Sequence, residues 1–195
     1  MRLNRKNLYK LYQKKQKPVS EIAGLFDCSE NKINYWLAKY GIKKRSISEA
    51  IYIMHNPNGD PFSFKAPKNI EEAKLFGMGV GLYWGEGTKA NKTAIRLGNS
   101  DPALLRTFTN FLVKFFKIKK EDLRFHLHIF SDINSEKATN FWIEQLGIRR
   151  YQLYKPTITK TGKIGTYRKK SEFGVLTLYY CNSKLKKVLM NFLPM

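Results

Sequence analysis

Hydrophobic positions recur at helical spacing in three short stretches at the start of the chain, residues 7–15, 19–26 and 29–40. Pro18 suits a helix start and Ser29 a helix cap, so the pattern predicts three helices. A short helix over 46–54 follows, and turn signals at Asn56-Pro57, Asn58-Gly59 and Asp60-Pro61 then break regular structure. Further on, 75–87 reads as a helix with Leu75, Met78 and Leu82 on its apolar face and Gly87 suited to a left-handed exit. Residues 102–116 place Leu104, Leu105, Phe108, Phe111, Leu112 and Phe115 on one face behind the cap residues Asn99, Ser100 and Asp101. Residues 134–146 turn Ala138, Phe141, Trp142 and Leu146 inward before Gly147, and 183–193 closes the chain as a helix. Strands are expected at 93–97, 123–130, 151–160 and 172–180; in the second, Leu123, Phe125, Leu127 and Ile129 alternate with Arg124, His126, His128 and Phe130. The fold class is α+β: an N-terminal three-helix module over 1–46, a linker over 47–68 and a mixed α/β domain over 69–195.

Ile22, Ala23, Phe26, Cys28, Ile33 and Trp36 occupy the apolar and small positions that lock a helix-turn-helix pair, which 19–40 resembles, with Asp27 at the turn. Asp tolerates the left-handed conformation that such a turn needs. In that motif the second helix enters the major groove by its N-terminal half, here Glu30, Asn31, Lys32, Asn34 and Tyr35. Lys43, Lys44 and Arg45 follow as a basic arm able to track a nucleic-acid backbone.

The stretch LFGMGVGLYWGEG, residues 75–87, carries Gly77, Gly79, Gly81 and Gly85. Each glycine inside a helix costs about 1 kcal/mol against alanine, so an offsetting contact is expected. Gly77, Gly81 and Gly85 fall on one stripe, where a second backbone can approach closely. Residues 79–87, GVGLYWGEG, resemble the signature helix of LAGLIDADG homing endonucleases: Gly81, Leu82 and Gly87 are identical, Gly85 replaces a small alanine, and Glu86 stands at the metal-binding acid. Gly79, Val80, Tyr83 and Trp84 depart from the pattern. The resemblance implies two such helices side by side across a two-fold axis and, with one motif per chain, a homodimer with Gly77, Gly81 and Gly85 at its interface. It also implies an αββαββα order, with the helix over 134–146 as an insertion, and a basic β-sheet face that binds DNA.

Charge sharpens the picture. The 195 residues hold 36 Lys and Arg against 15 Asp and Glu, a net charge of +21 that points to a polyanion such as nucleic acid. No apolar run approaches the roughly 20 residues that span a bilayer, and the basic start lacks a signal-peptide core, so a soluble, intracellular, cytoplasmic protein is expected. Cys28 and Cys181, far apart in apolar patterns, are expected to be buried thiols. Between 149 and 170, Arg149, Arg150, Lys155, Lys160, Lys163, Arg168, Lys169 and Lys170 occur without an acid, interleaved with Tyr151, Tyr154 and Tyr167. With Gly162 and Gly165 at its turn, this run is expected to form a DNA-facing hairpin. His126 and His128 share a strand face but lack a third metal ligand nearby.

These features lead to the expectation of a homodimeric, metal-dependent, site-specific endonuclease of double-stranded DNA. By the resemblance, Glu86 and the Gly85 carbonyl hold a divalent cation, Mg2+, and a basic residue assists, with Arg96, Lys155 and Lys160 as candidates. A non-cleaving transcriptional regulator on the same fold is the alternative. RNA binding ranks third, because RNA keeps its major groove narrow.

Overall fold

In the computed structural model, which describes residues 3–161 and 171–194, the chain divides into two units, Met1–Pro61 and Phe62–Met195. In the first, the Asn4 side chain caps α1 (Arg5–Tyr9), which runs on as a wider π-helical turn over Lys10–Lys14. Then come α2 (Val19–Leu25) and α3 (Glu30–Lys39), with Ser29 Oγ accepting from the Lys32 amide at 3.3 Å. Leu8, Leu11, Tyr12, Ile22, Ala23, Ile33, Leu37 and Ile42 form its core. Asp27 adopts the left-handed conformation, with φ of 48°. A reciprocal Ser46–Glu49 capping box starts α4 (Ile47–His55).

The second unit opens with α5 (Ile70–Glu86), capped by Asn69. It continues through β1 (Ile95–Asn99), α6 (Pro102–Phe116), β2 (Arg124–Phe130), α7 (Ser135–Leu146), β3 (Thr157–Thr159), β4 (Val175–Tyr180) and α8 (Ser183–Met190). The architecture is mixed α+β, with a four-stranded sheet in the order β1-β4-β2-β3. Alternation along the strands sends Ile95, Leu97, Phe125, Leu127, Ile129, Leu176 and Leu178 into one core with residues of all four helices, among them Tyr83, Phe108, Phe111, Trp142 and Leu189. None of the described helices is long and apolar enough to cross a membrane.

Several expectations change. The turn and second arm of the hairpin expected within 149–170 lie outside the described residues; of the strands described, β3 pairs parallel with β2, and β4 runs antiparallel to both β1 and β2. The reason is α7, a crossover helix that returns the chain in the direction of β2 and so makes its neighbour parallel. The strand expected at 151–160 shrinks to Thr157–Thr159 behind a 3-10 turn at Arg150–Gln152. The proposed turn glycines Gly162 and Gly165, with Lys163, Tyr167, Arg168, Lys169 and Lys170, lie outside the described residues. Between α5 and α6 there is β1 with an isolated Gly87–Leu97 bridge, so the element order differs from αββαββα. Cys28 is half-buried and Cys181 exposed, so neither is the buried thiol expected.

The α5 glycines divide into two kinds. A methyl on Gly79 would overlap the Phe111 ring, itself fully buried, so Gly79 is where α6 comes closest. Gly87 is extended, with φ of −73°, rather than left-handed; it lacks a side chain because one would overlap the Tyr83 ring. At Gly77, Gly81 and Gly85, by contrast, an added methyl meets nothing within 4 Å among the described residues. Met78, assigned to the inward face, is 52% exposed beside that stripe, as is Trp84 at 53%. The inward face is instead formed by Phe76, Gly79, Val80 and Tyr83, with Leu75 and Leu82 at its edges.

Alanine scanning of α5 at low protein concentration tests this division. Gly79→Ala is expected to lower unfolding free energy by about 1–3 kcal/mol through overpacking. Gly81→Ala is expected to raise it by about 1 kcal/mol, because it gains helix propensity and touches nothing.

Candidate functional site

Glu86 is the last residue of α5, exposed, and no hydrogen bond or ion pair engages its carboxylate among the described residues. It borders an open groove of about 530 Å³ that Met78, Gly81 and Gly85 of α5 share with Ala103 and Leu104 of α6. Asp101 also borders this groove, its carboxylate fixed as the α6 cap by the Ala103 amide at 2.8 Å.

A buried polar cluster fixes the backbone just past Glu86. Lys186 of α8, 2% exposed, donates to the Tyr83 hydroxyl and, at 2.9 Å, to the Thr88 carbonyl. Tyr83 Oη also donates to that carbonyl at 3.1 Å, and the Thr88 amide donates to the Arg96 carbonyl at 2.9 Å. Burial pushes the Tyr83 phenol up to about 12, opposed by the Arg96 amide. Burial also lowers the Lys186 ammonium, with Lys89 adding repulsion. The sequence marked Tyr83 only as a departure from the motif and did not bring out Lys186, although Lys186 shares the helical stripe of Asn182, Leu185 and Leu189, where a lysine is out of place.

The Gly85 carbonyl is exposed and accepts from Lys89 Nζ at 3.4 Å. Among the described residues no group of three or more His, Cys, Asp or Glu stands ready for a metal. One carboxylate and one carbonyl with waters is nevertheless a donor set that suits magnesium, which shares its shell with substrate phosphates. His126 and His128 bond Thr157 Oγ1 at 2.9 Å and Thr159 Oγ1 at 2.7 Å.

Comparison with family models, with curated proteins and with solved structures returns no match.

The three basic candidates do not converge. Arg96 lies on β1, the strand next to the Glu86 exit, and its Nε is buried without a hydrogen-bond partner among the described residues. Lys160 follows β3 at the opposite edge, three strand spacings or about 14 Å away. Lys155 is exposed on the connection before β3, beside Tyr154.

What the fold does assemble is the sheet's outer face. Arg96, Tyr179 and Arg124 are direct cross-strand neighbours, with the Arg96 guanidinium 5.2 Å from the Tyr179 ring centre. Tyr154 packs edge-on to Tyr179 at 6.1 Å, and Arg124 sits 5.8 Å from the ring of Tyr151. Among the described residues, the outward positions of the strands hold no acid. Arg150, by contrast, is bonded through both guanidinium nitrogens to Glu136 at 3.0 Å, which holds that carboxyl below its usual range. The basic run thus meets an acid in the fold that it lacks in the sequence.

In the first unit, Asn31, Lys32 and Tyr35 are exposed along α3, while Asn34 is half-buried. Lys43 and Lys44 are exposed, but Arg45 turns inward: it lies 3.9 Å from the Tyr12 ring centre and donates to the carbonyls of Tyr12 and Lys17. Burial lowers its guanidinium, opposed by Tyr12 and Glu49. It clamps the basic arm rather than extending it.

The Tyr83 cluster predicts a specific alkaline response. Because the folded pKa is raised, its contribution is complete below the unfolded value of about 10 and is lost as pH rises through the folded one. Urea midpoints should therefore fall between pH 10 and about 12, and Tyr83→Phe should flatten that slope. Tyrosinate absorbance should show one of the 11 tyrosines ionising last.

Proposed function

We propose that the chain is a sequence-specific, metal-dependent endonuclease of double-stranded DNA that acts as a homodimer, as its resemblance to LAGLIDADG enzymes implies. The observation that carries this reading is the α5 face itself: Gly77, Gly81 and Gly85 face open space and lead to an unengaged Glu86. Glycines without an internal reason mark a surface where another backbone comes close. A second copy of α5 on that stripe brings two Glu86 carboxylates together.

Glu86 and the Gly85 carbonyl would hold the magnesium ion, which when bound would supply an activated water and neutralise charge developing at phosphorus. The chain's own residues do the rest. Tyr83 and Lys186 hold the Thr88 carbonyl, so that Glu86 leaves the helix at a fixed angle. Arg96, on the strand next to the Glu86 exit, is the one of the three basic candidates on that side of the sheet, and its terminal guanidinium nitrogens would hold a phosphate oxygen. The Arg96–Tyr179–Arg124 row supplies backbone contacts, and α3 of the helix-turn-helix extends the site through Asn31, Lys32, Asn34 and Tyr35. Lys43 and Lys44 add phosphate contacts, as do Lys155 and Lys160 at the far edge.

One observation favours the second reading, a regulator that binds without cutting: Lys89 already places an ammonium on the Gly85 carbonyl. Incubation with a randomised plasmid library and magnesium, followed by sequencing of ends, separates the two. The nuclease reading expects discrete cuts that need the metal and fall at least a hundredfold in Glu86→Gln while DNA binding persists. Specific binding without cuts overturns it in favour of the regulator.

A further inference from the structure

A different surface carries an inference that depends on neither cleavage nor the α5 contact. Helix α4 buries no residue fully: Tyr52 and Ile53 are half-buried on one side, and among the described residues none of its side chains joins either hydrophobic core. Ile47, Ile51 and Met54, at spacings of four and three, share one side and are 81%, 47% and 66% exposed. A helix of nine residues with its apolar side open to water is marginal, however well its capping box starts it.

Charge selects the occupant. Residues 46–64 contain no lysine or arginine and two acids, Glu49 and Asp60, in a chain of net charge +21. A polyanion has nothing to bind there. Two copies of so basic a chain repel across most of their surfaces, and a segment stripped of basic groups is where they can meet. The stripe is also self-complementary. An antiparallel pair centred between Ala50 and Ile51 sets Ile47 against Met54 and opposes the two helix dipoles.

We infer that α4 is a homotypic docking helix: it pairs antiparallel with α4 of a second copy through Ile47, Ile51 and Met54. The pairing would join the helix-turn-helix modules of two chains, as reading a two-part DNA site requires.

The test uses the full chain with Cys181→Ser. Ile51→Cys, next to the two-fold axis, should form an intermolecular disulfide at least ten times faster than Ser48→Cys, on the flank of α4. That advantage should persist when Gly81→Leu blocks the α5 stripe, so loss of the α5 contact alone leaves this inference standing. Ile51→Glu should weaken self-association at least tenfold without lowering the melting temperature of the dissociated chain. Equal crosslinking at the two positions, a crosslink that vanishes with Gly81→Leu, or a lowered melting temperature in Ile51→Glu would each overturn it.

Discussion

The second unit depends on how closely one helix can be approached, and glycine sets that distance on α5. Gly79 admits the Phe111 ring and Gly87 admits the ring of Tyr83, so both are accounted for by contacts within the unit. They draw α6 and the start of the sheet against α5, and the Tyr83–Lys186 cluster then ties the helix exit to α8. Gly77, Gly81 and Gly85 have no such contact, and three uncompensated glycines amount to about 3 kcal/mol of lost helix propensity. In the proposed homodimer, a second backbone on that stripe offsets the loss.

Charge is distributed in keeping with this. Residues 46–88 hold five acids and three lysines, whereas the chain as a whole carries +21. The two helices with exposed apolar or glycine faces, α4 and α5, both belong to this depleted stretch. The strands carry the opposite character: arginines flank Tyr179 on the open side of the sheet, and the hydrophobic core occupies the other side. Exposed apolar and glycine-lined faces and the arginine-bearing face are thus separated along the sequence.

Much of the architecture was legible from residue spacing. Helix α6 runs from Pro102 to Phe116 as its apolar period indicates, α7 ends at a left-handed Gly147, and β2 alternates as expected. Strand pairing was not legible, because β3 offers only three residues and its parallel neighbour is chosen by the crossover through α7. The inward face of α5 was misread at Met78 because glycine hides the helical period: Gly79 packs against α6 without an apolar side chain to mark it. At the candidate site, the motif brought out Glu86, but Tyr83 and Lys186 meet only in three dimensions, 103 positions apart. Arg45 looked like part of a free arm because its Tyr12 partner lies 33 residues away.

The most direct measurement of the central claim is the solution mass of the chain with α4 silenced by Ile51→Glu, taken by sedimentation equilibrium with and without Gly81→Leu. If the α5 stripe is a contact between copies, the parent retains a two-copy species that the leucine abolishes while the far-ultraviolet spectrum stays unchanged. A mass that ignores the leucine would contradict the account.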